Sequence, residues 1–175
     1  MEKMEETKSK LRETLEYVAI IAVGVIAALL IRSYVGQLFF VNGESMEPTF
    51  QNADFAISSK VSYYTHSPKR GDVVIVEADI LDHKKIIKRV IGVEGDTIEI
   101  KNNVLYRNGK KIKESYINEK MDTPDLTVTV PKDEVFVMGD NRNHSTDSRF
   151  IGTFPLEKVQ GKVVMELWNN PFKRF

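Results

Sequence analysis

The sequence contains no cysteine. This absence excludes disulfide bonds, zinc sites built on thiolates and a cysteine nucleophile, and it is compatible with an oxidising or a reducing compartment. The three histidines, His66, His83 and His144, are scattered and show none of the spacings typical of metal ligands. We therefore predict neither a metal nor any other cofactor.

The sequence also lacks an excess of charge of either sign, because 25 basic residues balance 25 acidic ones. A chain without net positive charge has no general attraction to nucleic acid, and we predict no nucleic-acid partner. At 175 residues it is long enough for one domain with a hydrophobic core and a small appendage. The sequence carries no indication of an oligomeric state.

One long apolar run lies near the N-terminus, where residues 17–31 contain no charged side chain. Fifteen helical residues rise about 22 Å, less than the roughly 30 Å of a bilayer's hydrocarbon core, but apolar neighbours on both sides extend the run. Because it is apolar all round, a buried soluble helix is disfavoured. A cleaved signal peptide is disfavoured too, because the run does not end in a small-x-small site. We predict a transmembrane helix over residues 17–36.

The basic residues around this run predict its orientation. Lys3, Lys8, Lys10 and Arg12 precede it, whereas only Arg32 follows closely. Basic residues flanking a membrane helix concentrate on the cytoplasmic side. We therefore expect a cytoplasmic segment over residues 1–16, and a domain on the outer face of a lipid membrane over residues 37–175.

The segment from residue 37 onward is predicted to be mainly β. Short runs of β-branched and aromatic residues recur between turn signals, at residues 39–41, 55–57, 73–76, 86–93, 97–101, 104–107, 127–130, 135–138 and 162–167. Asn108-Gly109 predicts a type I′ hairpin. Because no helical pattern alternates with these runs, we expect an antiparallel β-sheet or barrel. Residues 96–130 are a candidate for a small cap, and residues 171–175 for a loosely ordered tail.

Ser45 lies just beyond the apolar run. Pro48 fixes its own φ and biases Glu47 away from the helical region, so Ser45 is expected on an extended segment or a turn. A serine is a poor nucleophile unless a base takes its proton and the charge that develops on the substrate is stabilised. Taken alone, Ser45 is more often an ordinary turn residue than a catalyst.

Lys88 interrupts an otherwise apolar strand, and two interpretations of it remain open. Alternation places it on the same face as Ile86 and Val90, with Arg89 on the other face. If that face is solvated, Lys88 is an ordinary surface lysine and its two apolar companions are exposed. If that face is buried, the amine tends to lose its proton and becomes a candidate general base.

A third polar cluster, residues 139–149, directly follows an apolar strand and is dense in Asx, Ser and Arg residues. One interpretation is a well-hydrogen-bonded turn. The other is a buried network that supports an active site, in which Asp140, Asp147, Arg142 and Arg149 pair with one another or with Arg89. In that network Ser145 would hydrogen-bond the amine of Lys88.

Four segments together resemble the ordered motifs of bacterial type I signal peptidases, in particular the short, single-span Gram-positive members. These segments are residues 45–49 (SMEPT), 70–74 (RGDVV), 88–96 (KRVIGVEGD) and 139–149 (GDNRNHSTDSR). As in that family, they follow an N-terminal apolar segment. The resemblance covers most of the chain from this segment to about residue 152.

The resemblance implies a membrane-anchored serine endopeptidase of the signal-peptidase β fold. Such an enzyme removes signal peptides from secretory preproteins after small residues at positions −3 and −1. The residues that match its motifs are Ser45 as nucleophile, Lys88 as general base, Ser145 as the lysine-orienting serine, Asp147, Arg149, Asp140 and Arg89 as supporting ion pairs, and Met46 beside the substrate groove. Gly43 departs from the pattern of members in which a serine at this position completes the oxyanion hole.

Three other functions compete with this one. His144 lies inside the polar cluster, so Ser45, His144 and an aspartate could form a conventional triad. A membrane-tethered β-rich domain that binds peptides without catalysis is the second alternative. The self-cleaving domain of stress-response repressors shares the Ser–Lys logic, but the N-terminal apolar run and the lack of a DNA-binding module disfavour it.

Overall fold

The computed structural model describes residues 2–34, 37–63, 66–79 and 84–166. The predicted tail at 171–175 and the end of the last predicted strand, Leu167, lie outside these residues. The chain divides into two compact units, residues 1–36 and residues 37–175.

The first unit is a single helix, α1 (Glu2–Tyr34). Its polar first half is stabilised locally, as in the i,i+4 ion pair between Arg12 and Glu16 at 3.0 Å. The apolar run lies in the second half, in which the side chains of residues 17–29 are exposed. The structure gives no support to the predicted transmembrane segment at 17–36, since none of the helices within the described ranges has a stretch both long enough and apolar enough to cross a membrane.

The second unit is mainly β, and the predicted fold class is confirmed in this respect. The described residues contain these strands: β1 (Gln37–Phe40), β2 (Phe55–Ser59), β3 (Val73–Ala78), β4 (Lys84–Val93), β5 (Thr97–Lys101), β6 (Val104–Arg107), β7 (Lys110–Lys111), β8 (Leu126–Thr129), β9 (Glu134–Met138), β10 (Phe154–Pro155) and β11 (Val159–Glu166). A four-residue helix, α2 (Ser148–Ile151), and the two-residue strand β10 were not predicted.

The strands form two sheets, and every pairing is antiparallel. The larger sheet has the order β1-β2-β11-β3-β4-β9-β10. In it, β3 pairs with residues 84–89 of β4, whereas β9 pairs with β4 only from Arg89 onward. The edge of β4 over residues 84–88 therefore has no strand partner on the β9 side among the described residues. This open edge lies next to Lys88.

The smaller sheet has the order β7-β6-β5-β8 and is built from residues 97–129. Its β6–β7 hairpin turns at Asn108 and Gly109, whose φ angles of 52° and 73° are both positive. Two successive positive φ values are the signature of the type I′ turn, so this predicted hairpin is confirmed.

The core lies on both faces of the larger sheet. On β3, Val73 and Ile75 pack into a cluster with Met46 and Phe50, whereas alternate residues of the strand pack into another. A strand covered on both faces has no solvated side, which explains its continuous apolar sequence. A third cluster joins the two sheets and includes the fully buried Phe136.

We expect Phe136→Ala to lower the free energy of unfolding by about 3–5 kcal/mol, because it removes a ring that is 0% exposed and leaves a cavity. Phe150→Ala is the matched control, since its ring is 62% exposed and the same truncation there should cost less than about 0.5 kcal/mol. Urea unfolding followed by circular dichroism measures both. Equal losses for the two variants would contradict this account of the core.

Candidate active site

Ser45 lies on a tight turn between β1 and β2. Glu47 N–H donates to Glu44 O at 3.0 Å and Phe50 N–H donates to Met46 O at 2.9 Å, so the turn is closed by its own backbone. The side chains of Met46 and Phe50 are buried in the core and fix the turn against the large sheet. Ser45 itself stays partly accessible.

Lys88 lies on β4, and its surroundings decide between the two interpretations left open by the sequence. The residue is only 3% exposed, Val90 is buried and Ile86 is half-buried. The face is therefore not solvated. The turn that carries Ser45 covers the amine, whose nitrogen contacts the Ser45 hydroxyl.

The two candidate catalytic side chains are in contact. Lys88 Nζ donates to Ser45 Oγ at 2.6 Å, although the residues are 43 positions apart in the sequence. The same nitrogen donates to Ile87 O at 2.9 Å. No carboxylate is bonded directly to the amine among the described residues, so its environment is polar but carries no direct counter-ion.

Burial lowers the pKa of Lys88 from its ordinary value of 10.5 to about 8. The loss of hydration is the largest cause, because a charged amine is poorly stabilised away from water. The carboxylates of Asp147 and Asp140 act in the opposite direction, and the guanidinium of Arg149 adds to the lowering. A substantial fraction of the amine is therefore neutral near pH 8.

Asp140 connects three parts of the site. Its carboxylate accepts two hydrogen bonds from Arg89, at 2.8 Å from Nε and 2.6 Å from Nη2, and a third from the hydroxyl of Thr49. Thr49 belongs to the turn that carries Ser45, and Arg89 follows Lys88 on β4. The two-pronged pair with Arg89 thus links the loop at 139–149 to both elements that carry the candidate catalytic residues.

Asp147 fastens the other end of that loop. It is fully buried and accepts hydrogen bonds at 2.8 Å from both Nε and Nη2 of Arg149. Its second oxygen also accepts from the backbone N–H of Gly139 at 2.9 Å, which ties the beginning of the loop to its end. Asp140 thus pairs with Arg89 and Asp147 with Arg149, and both arginines are among the partners that the sequence suggested.

Gly139 lies at the closest approach between this loop and the turn of Ser45. A Cβ built at Gly139 would lie 2.3 Å from Ser145 Oγ and 2.4 Å from Ser45 O. Both distances are far below van der Waals contact, so only glycine fits. The hydroxyl of Ser145 is buried and makes no hydrogen bond within the described ranges. The expected bond from Ser145 to the amine of Lys88 is thus not formed here.

Arg142 has a partner that the sequence did not suggest. Its side chain is 0% exposed, and Nη2 lies 2.6 Å from Glu114 Oε1. Neither terminal nitrogen makes a well-directed hydrogen bond in the described part of the chain, but at this distance the two charges still compensate each other. Glu114 lies in a polar segment that composition marks only as a loop, so tertiary contact alone identifies this pair.

Two depressions flank the serine. One, of about 130 Å³, is lined mainly by apolar residues of β1 and β4 together with Ser45, Met46 and Lys88. The other, of about 300 Å³, is lined by acidic and amide side chains and by His144. Met46 lines the first of these depressions, and its place beside a substrate groove stays a prediction. The only partner of the Ser45 hydroxyl within the described residues is Lys88, so the triad with His144 is not formed here.

We expect Lys88→Met to raise the free energy of unfolding at pH 7, because the folded state has to bury an amine whose pKa falls from 10.5 to about 8. A pKa shift of this size costs the folded state about 3 kcal/mol, which the variant regains. The variant also loses the two hydrogen bonds of the amine, and this loss reduces its gain. Below pH 8 the cost is constant. From pH 8 to pH 10.5 the unfolded chain binds more protons than the folded one, so the stability of the wild type rises and the advantage of the variant shrinks.

Urea unfolding at pH 7, 9 and 10.5 measures this difference, and Lys132→Met, which alters an exposed lysine, is the matched control. A Lys88→Met advantage that is absent at pH 7, or unchanged at pH 10.5, would contradict the lowered pKa of the buried amine.

Comparison with known proteins identifies the relatives of this chain. Residues 14–168 match the family model described as signal peptidase, peptidase S26. Signal peptidase I S of Bacillus subtilis (strain 168) is 39% identical over 168 residues, which cover 89% of this chain and 90% of that protein. The probable signal peptidase I-1 of Synechocystis is 34% identical over 160 residues, 87% of this chain and 82% of that protein.

A solved structure is similar as well. The crystal structure of a signal peptidase I from Enterococcus faecalis V583 superposes with a TM-score of 0.50 at 32% sequence identity. The match covers 55% of this chain and 97% of that one. Sequence and structure agree, and the chain belongs to the bacterial type I signal peptidases, the S26 peptidase family.

Proposed function

We propose that this chain is a serine endopeptidase in which Ser45 and Lys88 form the catalytic dyad, and that it removes N-terminal signal peptides from secreted preproteins. The observation that carries this proposal is the 2.6 Å contact between Ser45 Oγ and Lys88 Nζ, with Lys88 only 3% exposed. Membership of the family supports signal-peptide removal in general terms. The dyad, the roles of its neighbours and the choice of small residues at −3 and −1 are part of the proposal.

The chemistry follows from the state of the amine. Neutral Lys88 accepts the proton of the Ser45 hydroxyl while the oxygen attacks the scissile carbonyl. The resulting ammonium then donates that proton to the leaving amine, which departs as the new N-terminus of the mature protein and leaves an acyl-enzyme. Lys88, neutral again, takes a proton from water as the water oxygen attacks the ester. It then returns that proton to Ser45 Oγ as the bond from Oγ to the acyl carbon breaks, which releases the signal peptide and restores the neutral amine.

The charge that develops on the carbonyl oxygen needs a donor. The backbone N–H of Ser45 makes no hydrogen bond within the described residues and is free to serve. The N–H of Gly43 is already bonded to Asn52 Oδ1 at 2.9 Å, so Gly43 is not a second donor. Oxyanion stabilisation here therefore rests first on the nucleophile's own amide.

The smaller depression beside Ser45, of about 130 Å³, is here called the groove, and its position suits an extended peptide. It lies between β1, the terminal strand of its sheet, and the open edge of β4 at residues 84–88. Unpaired strand edges offer backbone groups to which a peptide adds as a further strand. A depression of about 130 Å³ has room for small side chains, which agrees with the proposed preference at −3 and −1.

The proposal includes a place of action. The preprotein and this enzyme meet at the cytoplasmic membrane, with the N-terminal segment in the cytoplasm and the β unit on the outer face. The large apolar side chains of α1 from Leu15 to Leu29 are each more than half exposed, as for Ile20 and Ile26 at 67% and 56%. Apolar surface of this extent is stabilised by contact with lipid. Confinement to one surface raises the effective concentration of enzyme and substrate.

Ser45→Ala and Lys88→Met should each lower the rate of preprotein cleavage at least about a thousandfold, because each removes one partner of the proton transfer. Wild-type kcat/KM should rise with pH as Lys88 loses its proton, with a midpoint at about 8. The assay is cleavage of a purified secretory precursor, with N-terminal sequencing of the product.

The matched controls are Ser115→Ala and Lys132→Met, which alter exposed residues and should keep full activity. His144→Asn distinguishes the dyad from a histidine triad, since the dyad predicts activity close to wild type. Normal cleavage by Lys88→Met would refute the proposed mechanism, and an intact precursor with the wild type would favour a non-catalytic binding domain.

For the membrane, we expect the full chain to float with phospholipid vesicles in a density gradient. The double variant Ile20→Asp, Ile26→Asp should stay at the bottom, because two charges in the apolar run oppose burial in lipid. Exposed substitutions outside the run, such as Glu13→Gln, serve as the control. Flotation of the charged variant equal to wild type would exclude α1 as the anchor.

A further inference from the structure

Tyr116 lies outside all four segments that resemble the family motifs, yet its ring contacts two arginines of the candidate site, Arg89 and Arg142. It lies in the segment between β7 and β8. Its ring centre is 4.3 Å from the guanidinium carbon of Arg89 and 5.7 Å from that of Arg142. Two guanidinium groups thus share one aromatic ring. Such contacts are attractive, most of all where water is excluded.

The chemistry of the ring fits this position. Burial, and next the carboxylate of Glu114, raise the pKa of Tyr116 to about 12, so the phenol stays neutral. Its hydroxyl donates to Glu114 Oε1 at 3.1 Å. The same carboxylate compensates Arg142, so ring, carboxylate and guanidinium hold one another in place.

Arg89 is the member of this group that reaches the catalytic pair. It follows Lys88 directly on β4 and holds Asp140 through two hydrogen bonds. It also donates to Thr49 Oγ1 at 3.3 Å, in the turn that carries Ser45. The orientation of the Arg89 guanidinium therefore sets how the nucleophile's turn, the strand of the base and the loop at 139–149 meet.

The segment that carries Tyr116 is itself fastened to that loop. Asn143 donates to Glu119 Oε1 at 2.8 Å and to Lys120 O at 3.1 Å, and it accepts from Asp122 N–H at 2.7 Å. Together with the Glu114–Arg142 pair, these bonds hold residues 114–122 at both ends. The ring over Arg89 is thus held by an anchored backbone.

We propose that Tyr116 is a positioning residue for the Ser45–Lys88 pair, and that it acts by holding the guanidinium of Arg89 against Asp140. This inference rests on the proposed function. Tyr116 does not line the groove beside Ser45. The contact should therefore support the chemical step and leave substrate binding nearly unchanged.

The test compares two replacements of Tyr116 in the full-length chain. Tyr116→Phe keeps the ring and loses only the hydroxyl, so kcat should stay within about twofold of wild type. Tyr116→Met fills similar space without a π face, and kcat should fall about tenfold with KM changed less than twofold. Tyr106→Met, on β6 and outside the site, is the control and should leave both constants unchanged.

A second measurement separates positioning from general stability. In an Arg89→Lys background the guanidinium is gone, so the difference in kcat between Tyr116→Phe and Tyr116→Met should shrink to less than threefold. A difference that stays tenfold would overturn the role assigned to Arg89. Equal kcat for the two Tyr116 variants in the Arg89 background would overturn the proposal itself.

Failure of the role proposed for Tyr116 can be distinguished from failure of the proposed function. If the wild type cleaves the precursor and Ser45→Ala does not, the dyad stands whatever Tyr116 does. If the wild type fails to cleave, or Ser45→Ala cleaves normally, both proposals fall. If Tyr116→Met is too unstable to assay, Tyr116→Leu at low temperature takes its place, and the same kcat and KM criteria apply.

Discussion

The structure of the site depends on one constraint, the burial of the Lys88 amine without a direct counter-ion. An amine in contact with a carboxylate would keep its proton and could not act as a base at neutral pH. Two carboxylates, Asp140 and Asp147, are nevertheless close enough to influence it. Each is paired with an arginine, Asp140 with Arg89 and Asp147 with Arg149, and Arg149 in turn lowers the pKa of the amine. The ion pairs therefore fix the geometry around the amine without restoring its ordinary pKa.

The loop at 139–149 shows how such a site is made rigid. Asp147 closes the loop through Gly139 N–H, Asp140 ties it to Arg89, and Arg142 ties it to Glu114. At Gly139 the backbone passes so close to the turn of Ser45 that no side chain fits. Rigidity here comes from charged groups that are individually expensive to bury and compatible only in one arrangement.

Much of the fold could be predicted from the sequence because it depends on local pattern. Alternating and β-branched runs located most strands, and Asn108-Gly109 specified its hairpin. The short elements α2 and β10 could not be found in this way, since two to four residues carry no periodicity and form only through tertiary contacts. The expected transmembrane segment was inferred from an apolar run of marginal length, and the structure does not support it.

The candidate site, like the fold, could be predicted from the sequence only in part. The motifs nominated Ser45, Lys88 and the ionic loop, but alternation on β4 fits a buried lysine and an exposed one equally well. Only the packing of the sheet decides between them. Glu114 and Tyr116 could not be predicted, because they lie in a segment with the composition of an ordinary loop and their arginine partners are at least 26 residues away.

The open edge of β4 has a consequence for the breadth of substrates. A strand edge recognises amide groups, which every peptide has, so it contributes affinity with little regard to sequence. Under the proposed function, selection among peptides then depends on the depression of about 130 Å³ beside Ser45, which has room for small side chains only. Under the proposed function, substrates then need to share small side chains at the cleavage site and little else of their sequence.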